Sequence, residues 1–256
     1  MKFSSKLIRW HKKYGRKEHP WQIDKNPYKV WISEIMLQQT RVATVIPFYN
    51  TFINKFPGIQ DLSNSTEEEV MSYWSGLGYY SRAKNIYKTS KILSKDFRSR
   101  LPVSSSKLIS LPGIGRSTAG AILSLGYGKR APILDSNVKR VLARYKKIDT
   151  DLTKASEIKN LWNISESMTP KTDVDIYNQA IMDLGALICT NKSPKCNKCP
   201  LNKGCLSYKY DLTEVITLKK KKKVKPTKTV FWLIVVNKEN KILLKKKEGR
   251  GVWSGL

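Results

Sequence analysis

The sequence predicts an all-α protein followed by a short partial β segment, and three observations support this prediction. Apolar residues recur at spacings of three and four from Met1 to about Leu212, as in Val30–Met36. The predicted loops are short and marked by glycine and proline, as at Pro57-Gly58. No convincing strand alternation precedes Lys225. With 256 residues, the chain is long enough for one or two domains with apolar cores.

The C-terminal part changes in composition. An unbroken lysine run, Lys219–Lys223, predicts a solvated linker. Beyond it, Thr229–Val236 is apolar and β-rich, Asn237–Asn240 resembles a turn, and Ile242–Leu244 begins a second strand. A hairpin of roughly 30 residues cannot bury a core alone. Either the protein is truncated here or the hairpin packs on the helical part.

The charge balance indicates the kind of partner. The chain has 48 Lys and Arg against 20 Asp and Glu, a net charge of +28. Nucleic acid is the leading expectation because its phosphates attract such a surface, and an anionic membrane is the weaker alternative. A proteome that is generally rich in lysine would explain part of the size of this net positive charge. Without an apolar run of about 20 residues or a signal-peptide core, we expect a cytoplasmic, nucleoid-associated monomer that contacts no membrane.

The four cysteines lie within 17 residues, in the pattern Cys189-x6-Cys196-x2-Cys199-x5-Cys205. Four thiolates in a compact loop can bind zinc or an iron–sulfur cluster. Because the outer spacings do not form two Cys-x2-Cys knuckles, the pattern favours a cluster over zinc. Two disulfides would be unusual in a chain without secretion signals. Four lysines lie around the cysteines and predict phosphate contacts: Lys192, Lys195, Lys198 and Lys203.

A glycine hairpin, Leu111–Gly115, precedes a predicted helix over Ser117–Leu125. Gly113 and Gly115 let the backbone approach another chain closely, and amides at the start of the helix can hold a phosphate oxygen. An isolated G-x-G is a weak signal whose default interpretation is a plain turn. In a strongly basic protein, the phosphate-binding interpretation is favoured.

Two carboxylates stand out. Glu34 lies among apolar residues on a predicted helix, where it is either an exposed residue or a partly buried functional acid. Burial would raise its pKa and let it hold a proton near neutral pH. Asp135 precedes another predicted helix, and its position is typical of an N-cap.

The order of these motifs resembles a known family. Over Trp10–Tyr208 the chain is similar to the helix-hairpin-helix DNA glycosylases of the endonuclease III and MutY superfamily, and it matches the adenine-specific MutY branch closely. The most specific stretches are Pro20–Gln22, Trp31–Thr40, Gly76–Arg82, Leu111–Ala119, Ile133–Leu142 and Gln179–Cys189. The resemblance implies a two-domain helix-hairpin-helix glycosylase fold with an iron–sulfur loop.

The resemblance also implies a reaction. Bifunctional members attack the sugar with a lysine just after the glycine hairpin, and Ser117 occupies that position here. Because a serine hydroxyl cannot form the Schiff base needed for strand cleavage, we expect a monofunctional hydrolase. The expected role of Glu34 is to protonate N7 of a flipped adenine. Asp135 is expected to stabilise an oxocarbenium-like sugar, as in glycosidases.

Further site residues follow from the family positions. Ser117 and Asn137 are expected to hold the water or the departing base. Tyr79 resembles a tyrosine that wedges beside the partner base, and Gln39 resembles a residue that intercalates and contacts the orphan base. Gln22 and Gln179 resemble pocket-lining residues. The expected phosphate contacts come from Leu111, Gly113 and Gly115.

The expected ligands are a [4Fe-4S] cluster on the four cysteines and duplex DNA carrying adenine opposite 8-oxoguanine or guanine. The expected domains are a cluster domain made of residues 1–24 and 131–212, a six-helix domain of residues 25–130, a linker of residues 213–228, and an incomplete MutT-like (Nudix) domain of residues 229–256. Two alternatives stay open: an endonuclease III-like glycosylase/lyase, and a non-catalytic iron–sulfur protein that binds DNA.

Overall fold

The computed structural model describes residues 2–151, 154–216, 227, 229, 231 and 233–244. The chain divides into two compact units, Met1–Lys219 and Lys220–Leu256. The lysine run Lys219–Lys223 and the expected Nudix-like stretch after Leu244 lie outside the described residues.

The first unit is helical, which confirms the predicted all-α class for the residues described. Its α-helices are α1 Phe3–Tyr14, α2 Pro20–Ile23, α3 Pro27–Met36, α4 Val42–Lys55, α5 Ile59–Asn64, α6 Glu67–Trp74, α7 Ser81–Asp96, α8 Ser105–Ile109, α9 Arg116–Ala121, α10 Ser136–Lys146, α11 Ala155–Met168, α12 Val174–Leu187 and α13 Leu206–Lys209. A π-helical turn, Ile122–Gly126, continues α9, and two 3₁₀ turns lie within the cysteine loop, Cys196–Lys198 and Asn202–Gly204.

Short polar side chains define where the helices of the site begin. Asn26 accepts a hydrogen bond from the backbone N–H of Lys29 at 2.9 Å, and Pro27 occupies the first turn of α3. Asp135 accepts one from the N–H of Val138 at 2.8 Å at the start of α10. Each contact satisfies a donor that the first turn leaves unpaired. The N-cap predicted for Asp135 is therefore confirmed.

Two clusters of buried apolar side chains organise the first unit. One is centred on the middle of the chain and includes Trp31, Phe52 and Trp74. The other joins the N-terminal helix to the C-terminal helices and includes Leu7 and Leu184. Helix α1 packs directly against α12. The discontinuous domain boundaries expected from the sequence remain a prediction.

The π-helical turn brings α3 close to the chain that follows α9. A Cβ on Gly126 would lie 2.8 Å from Pro27 Cα, so only glycine permits this approach. The hydroxyl of Ser124 donates to the carbonyl of Gly120 at 2.8 Å inside the turn. Because α3 contacts this turn, the helix that carries Glu34 is held against the end of α9.

The described residues of the second unit lie around the turn of the predicted hairpin. Among its described residues, one isolated antiparallel bridge joins Val236 to Ile242, with no longer strand. Asn237 donates its N–H to the carbonyl of Lys241 at 3.0 Å, which closes the predicted turn. Phe231 is 92% exposed and Leu244 is 86% exposed. The described residues thus contain the turn of the predicted hairpin and one bridge beside it, and two positions of the first predicted strand, 230 and 232, lie outside the described residues.

None of the helices in the described residues combines the length and hydropathy that a membrane crossing requires.

Candidate active site

A cavity of about 660 Å³ opens beside the N-terminal half of α10. Its walls come from the C-terminal half of α3 with the loop that follows, the start of α9, the start of α10 and one side of α12. Seven of the sequence-predicted site residues line it: Gln22, Glu34, Gln39, Ser117, Asp135, Asn137 and Gln179. The fold therefore brings together side chains separated by more than 150 positions.

Glu34 faces this cavity from α3 and remains partly accessible through it. Burial, together with a smaller contribution from the nearby carboxylate of Asp135, raises the pKa of this carboxyl to about 8. A carboxyl with this pKa is largely protonated at neutral pH. It is therefore available as a proton donor, as its apolar sequence neighbours predicted.

Asp135 faces the same cavity but has a different environment. Its burial raises the pKa, while hydrogen bonds from Val138 N and the Asn137 side chain oppose the rise because they stabilise the charged form. The Asn137 amide donates to Asp135 at 3.2 Å. Two neighbouring carboxyls in unlike environments can hold different protonation states, one as an acid and one as an anion.

Ser117 lies at the start of α9 and lines the cavity, as its sequence position suggested. Its Oγ accepts a hydrogen bond from Leu134 N at 3.0 Å, which ties the start of α9 to the strand-like stretch before Asp135. Among the described residues that line this cavity, Lys25 is the one lysine. It lies in the loop between α2 and α3 and not in the turn at the start of α9 that carries Ser117.

Asn137 is itself held by an arginine that reaches the cysteine loop. Arg140 donates to the Asn137 side-chain oxygen at 2.9 Å, to the carbonyl of Gly185 at 2.6 Å and to the carbonyl of Cys189 at 2.7 Å. A Cβ on Gly185 would lie 2.6 Å from Asn137 Cβ, so α10 and α12 pack very closely here. Arg140 thus connects the first cysteine to the carboxylate of Asp135 through one amide.

A buried ion pair supports the opposite wall. The carboxylate of Asp183 is fully buried and accepts hydrogen bonds from Arg16 N and Nε at 2.9 Å each and from Arg16 Nη2 at 2.6 Å. His11 Nε2 lies 3.4 Å from the same carboxylate. The Gln179 amide donates to it at 3.2 Å, which orients Gln179 at the cavity wall. Gln22 is held separately, because its Oε1 accepts from His19 N at 3.3 Å.

Gln39 and Tyr79 are both at the surface in left-handed backbone conformations, with φ of 57° and 49°. Gln39 lines the cavity, whereas Tyr79 is 56% exposed outside it. Such a conformation costs a non-glycine residue of order 1–3 kcal/mol and persists only where surrounding contacts enforce it.

The glycine hairpin lies between α8 and α9, where the sequence predicted it. Gly113 has a φ of 79°, and Thr89 Oγ1 donates to the carbonyl of the preceding Pro112 at 2.9 Å. Space is open around the position where a Cβ of Gly115 would lie, so another chain can approach there. Leu111 is buried in the core, so its side chain cannot contact a ligand at the surface.

The four cysteines line one small cavity together with Arg144 and Tyr208. Arg144 is buried, and its guanidinium donates to Cys189 Sγ at 3.4 Å and to the carbonyl of Thr190 at 2.6 Å. Among the described residues, no three His, Cys, Asp or Glu side chains converge as ligands on one ion. Four soft sulfur donors spread around a common space fit a polynuclear cluster better than a single ion. The four surrounding lysines are exposed.

Sequence reasoning missed the residues that hold the site together. Arg82 and Arg140 lie inside the family-like stretches but carried no interpretation, and Arg16 with Asp183 had no local signal. Each acts through contacts across the fold. An arginine among apolar helix positions, as at Arg140, was the available hint.

The comparisons with known proteins agree with this fold. A family described as "HhH-GPD superfamily base excision DNA repair protein" matches residues 32–166. An adenine DNA glycosylase from Buchnera aphidicola subsp. Baizongia pistaciae is 50% identical over 254 residues, which cover 99% of this chain and 72% of the relative. The adenine DNA glycosylase of Mus musculus is 38% identical over 215 residues, covering 80% of this chain and 42% of the relative.

Solved structures show the same architecture. A thermostable thymine-DNA glycosylase aligns with a TM-score of 0.73 at 28% identity, covering 81% of this chain and 95% of that structure. An endonuclease III–DNA complex aligns with a TM-score of 0.68 at 23% identity, covering 82% of this chain and 94% of that structure. The fold is that of the helix-hairpin-helix DNA glycosylases. The chain belongs to the HhH-GPD superfamily of base excision DNA repair proteins.

Proposed function

We propose that this chain is a monofunctional adenine DNA glycosylase of base excision repair, acting on adenine opposite 8-oxoguanine or guanine. The observation that carries the proposal is the pair Glu34 and Asp135, which face one cavity in unlike environments. The adenine DNA glycosylases at 48–50% identity over nearly the whole chain support the same reaction.

The proposed reaction begins with adenine flipped out of the duplex into the cavity. Glu34, protonated at neutral pH, gives its proton to N7, so the electron pair of the breaking C1′–N9 bond leaves with a neutral base. The Asp135 carboxylate stabilises the positive charge that develops on the sugar. A water, positioned by Ser117 and Asn137, adds its oxygen to C1′ and gives a proton to the carboxylate of Glu34, which restores the acid and leaves an abasic site.

DNA is the proposed partner. The net charge of +28 predicts strong, salt-sensitive binding to phosphate, and the open space around Gly115 lets a phosphate approach the backbone closely. Gln39 and Tyr79 are proposed to enter the base stack beside the mispair, while Gln22 and Gln179 line the base pocket. Binding affinity should fall steeply as salt rises, and a salt-independent affinity would contradict a phosphate-dominated interface.

We also propose a [4Fe-4S] cluster held by Cys189, Cys196, Cys199 and Cys205. When bound, the cluster would fix the lysine-bearing loop for DNA contact rather than take part in base release. The purified protein should be brown and contain iron and sulfide in equal amounts, about four of each per chain. A colourless protein with stoichiometric zinc would overturn this assignment.

The decisive test is a single-turnover excision assay on duplexes with A·8-oxoguanine, A·G, A·C and G·T pairs. The proposal expects adenine release from the first two, and Glu34→Gln should abolish it while DNA binding is retained. Release of thymine alone would instead place the chain beside the thymine-DNA glycosylase that shares its fold. Borohydride trapping of a covalent DNA complex would revive the glycosylase/lyase alternative, because only a Schiff base is trapped in this way.

A further inference from the structure

Arg82, on the first turn of α7, is 7% exposed although it carries a full charge. Among the described residues, no carboxylate forms an ion pair with it; its guanidinium partners are backbone carbonyls. The guanidinium also lies over the rings of Trp74 and Tyr79, 5.2 and 5.4 Å from their centroids. A buried cation with neutral partners is held by the geometry of those partners.

One edge of the guanidinium holds the end of α3. Arg82 Nη1 donates to the carbonyls of Ile35 at 3.0 Å, Met36 at 2.7 Å and Gln38 at 2.8 Å. These carbonyls lead directly into Gln39, whose backbone is left-handed. The three carbonyls share the two N–H groups of this nitrogen, and the carbonyl of Ile35 also accepts from Gln38 N at 3.3 Å. Arg82 therefore holds the turn between the end of α3 and Gln39.

The other edge holds the loop before α7. Arg82 Nη2 donates to the carbonyl of Gly78 at 3.0 Å and to that of Leu77 at 3.4 Å. The backbone N–H of Arg82 donates to the carbonyl of Tyr79 at 2.9 Å. Trp74 Nε1 also donates to the Gly78 carbonyl, at 3.0 Å. The left-handed backbone of Tyr79 is thus held on both sides.

We propose that Arg82 is a positioning residue that fixes Gln39 and Tyr79 relative to each other, so that both side chains are ready to enter the mispair before the adenine flips. This inference rests on the proposed function, because it assigns DNA contacts to those two side chains. Two loops 40 positions apart in the sequence share one side chain as their common support. Because the two loops are already ordered, base flipping does not have to include the loss of entropy that ordering them would cost.

The test compares Arg82→Lys and Arg82→Met with the wild type. Lysine keeps the charge but cannot span both sets of carbonyls in the geometry of the planar guanidinium fork, and methionine keeps most of the volume without donors. Leu93→Ala is the matched control. Leu93 is fully buried on the same helix, about three turns beyond Arg82, so Leu93→Ala should lower the stability of the fold without removing a support of either loop.

Two rate constants are measured at a temperature where thermal melts show every variant folded. One is the fluorescence rise when 2-aminopurine replaces the adenine opposite 8-oxoguanine, which reports unstacking. The other is single-turnover adenine release. Arg82→Met should slow both by about ten- to a hundred-fold, Arg82→Lys should slow both less, and Leu93→Ala should leave both near wild type despite its lower melting temperature.

The inference is overturned if the Arg82 variants show wild-type rate constants and lose only active fraction, or if Leu93→Ala slows unstacking equally. Either result would reduce Arg82 to a stabiliser of the fold. Failure of the proposed function looks different, because the wild-type protein would then release no adenine at all.

Discussion

The guanidinium of Arg140 donates to the side-chain oxygen of Asn137 at 2.9 Å, and the amide of the same Asn137 donates to Asp135 at 3.2 Å. Two hydrogen bonds therefore separate Asp135 from an arginine that also binds the carbonyl of Cys189. The orientation of the Asp135 carboxylate, which is proposed to face the sugar, therefore depends on hydrogen bonds that extend to the cysteine loop.

We expect Arg140→Gln to lower the rate constant of adenine release by about ten-fold or more, because Asn137 and Asp135 lose their fixed geometry. Single-turnover assays measure the rate constant, and the iron content of the protein shows whether the cysteine loop still holds the proposed cluster. Lys146→Gln, which removes an exposed charge near the end of the same helix, is the control. An unchanged rate constant at full iron content would show that the connection is not needed for chemistry.

The pH dependence of adenine release should be bell-shaped. Release needs Glu34 protonated, and its pKa is about 8, so the rate should fall above that pH. Release also needs Asp135 ionised, and burial raises the pKa of that carboxyl. On the acid limb of the profile, the rate should therefore fall at a higher pH than the pKa of an ordinary aspartate would give. Single-turnover rate constants across the pH range test this. A rate that keeps rising into alkaline solution would exclude Glu34 as the proton donor.

Glu34→Gln should stabilise the protein in a pH-dependent way. The folded-state pKa of Glu34 is raised above its unfolded value, so the wild type loses stability as pH rises towards about 8. The neutral amide avoids this loss. We expect a gain of about 1–3 kcal/mol at pH 8 and little at pH 5, measured by denaturant unfolding. An equal gain at both values would mean that the effect is not electrostatic.

Asp183→Asn should destabilise the fold by about 3 kcal/mol at neutral pH, because it leaves the Arg16 guanidinium without its buried anion. Burial by itself would raise the pKa of Asp183, but hydrogen bonds from His11 and Arg16 lower it below the ordinary value. The ion pair therefore stabilises the wild type above the unfolded pKa and is lost as pH falls through the folded one. Unfolding curves of the two proteins should converge in acid; a constant gap would contradict the assignment.

The sequence predicts the helical class, the Asp135 cap and the hairpin because these depend on local patterns: periodic apolar residues, a short polar side chain before a helix, and closely spaced glycines. It does not predict Arg82, Arg140 or the Arg16–Asp183 pair as structural supports. Their partners are backbone carbonyls or side chains far along the chain, and a carbonyl has no signature in a sequence.

Arg16 and Asp183 are 167 positions apart, and α1 packs on α12. During synthesis, the first helix therefore emerges from the ribosome long before the helix it packs on. Until Asp183 has followed, Arg16 has no anion and the wall that carries Gln179 is absent. A chain that ends before α12 therefore carries Glu34 without the wall that closes its cavity.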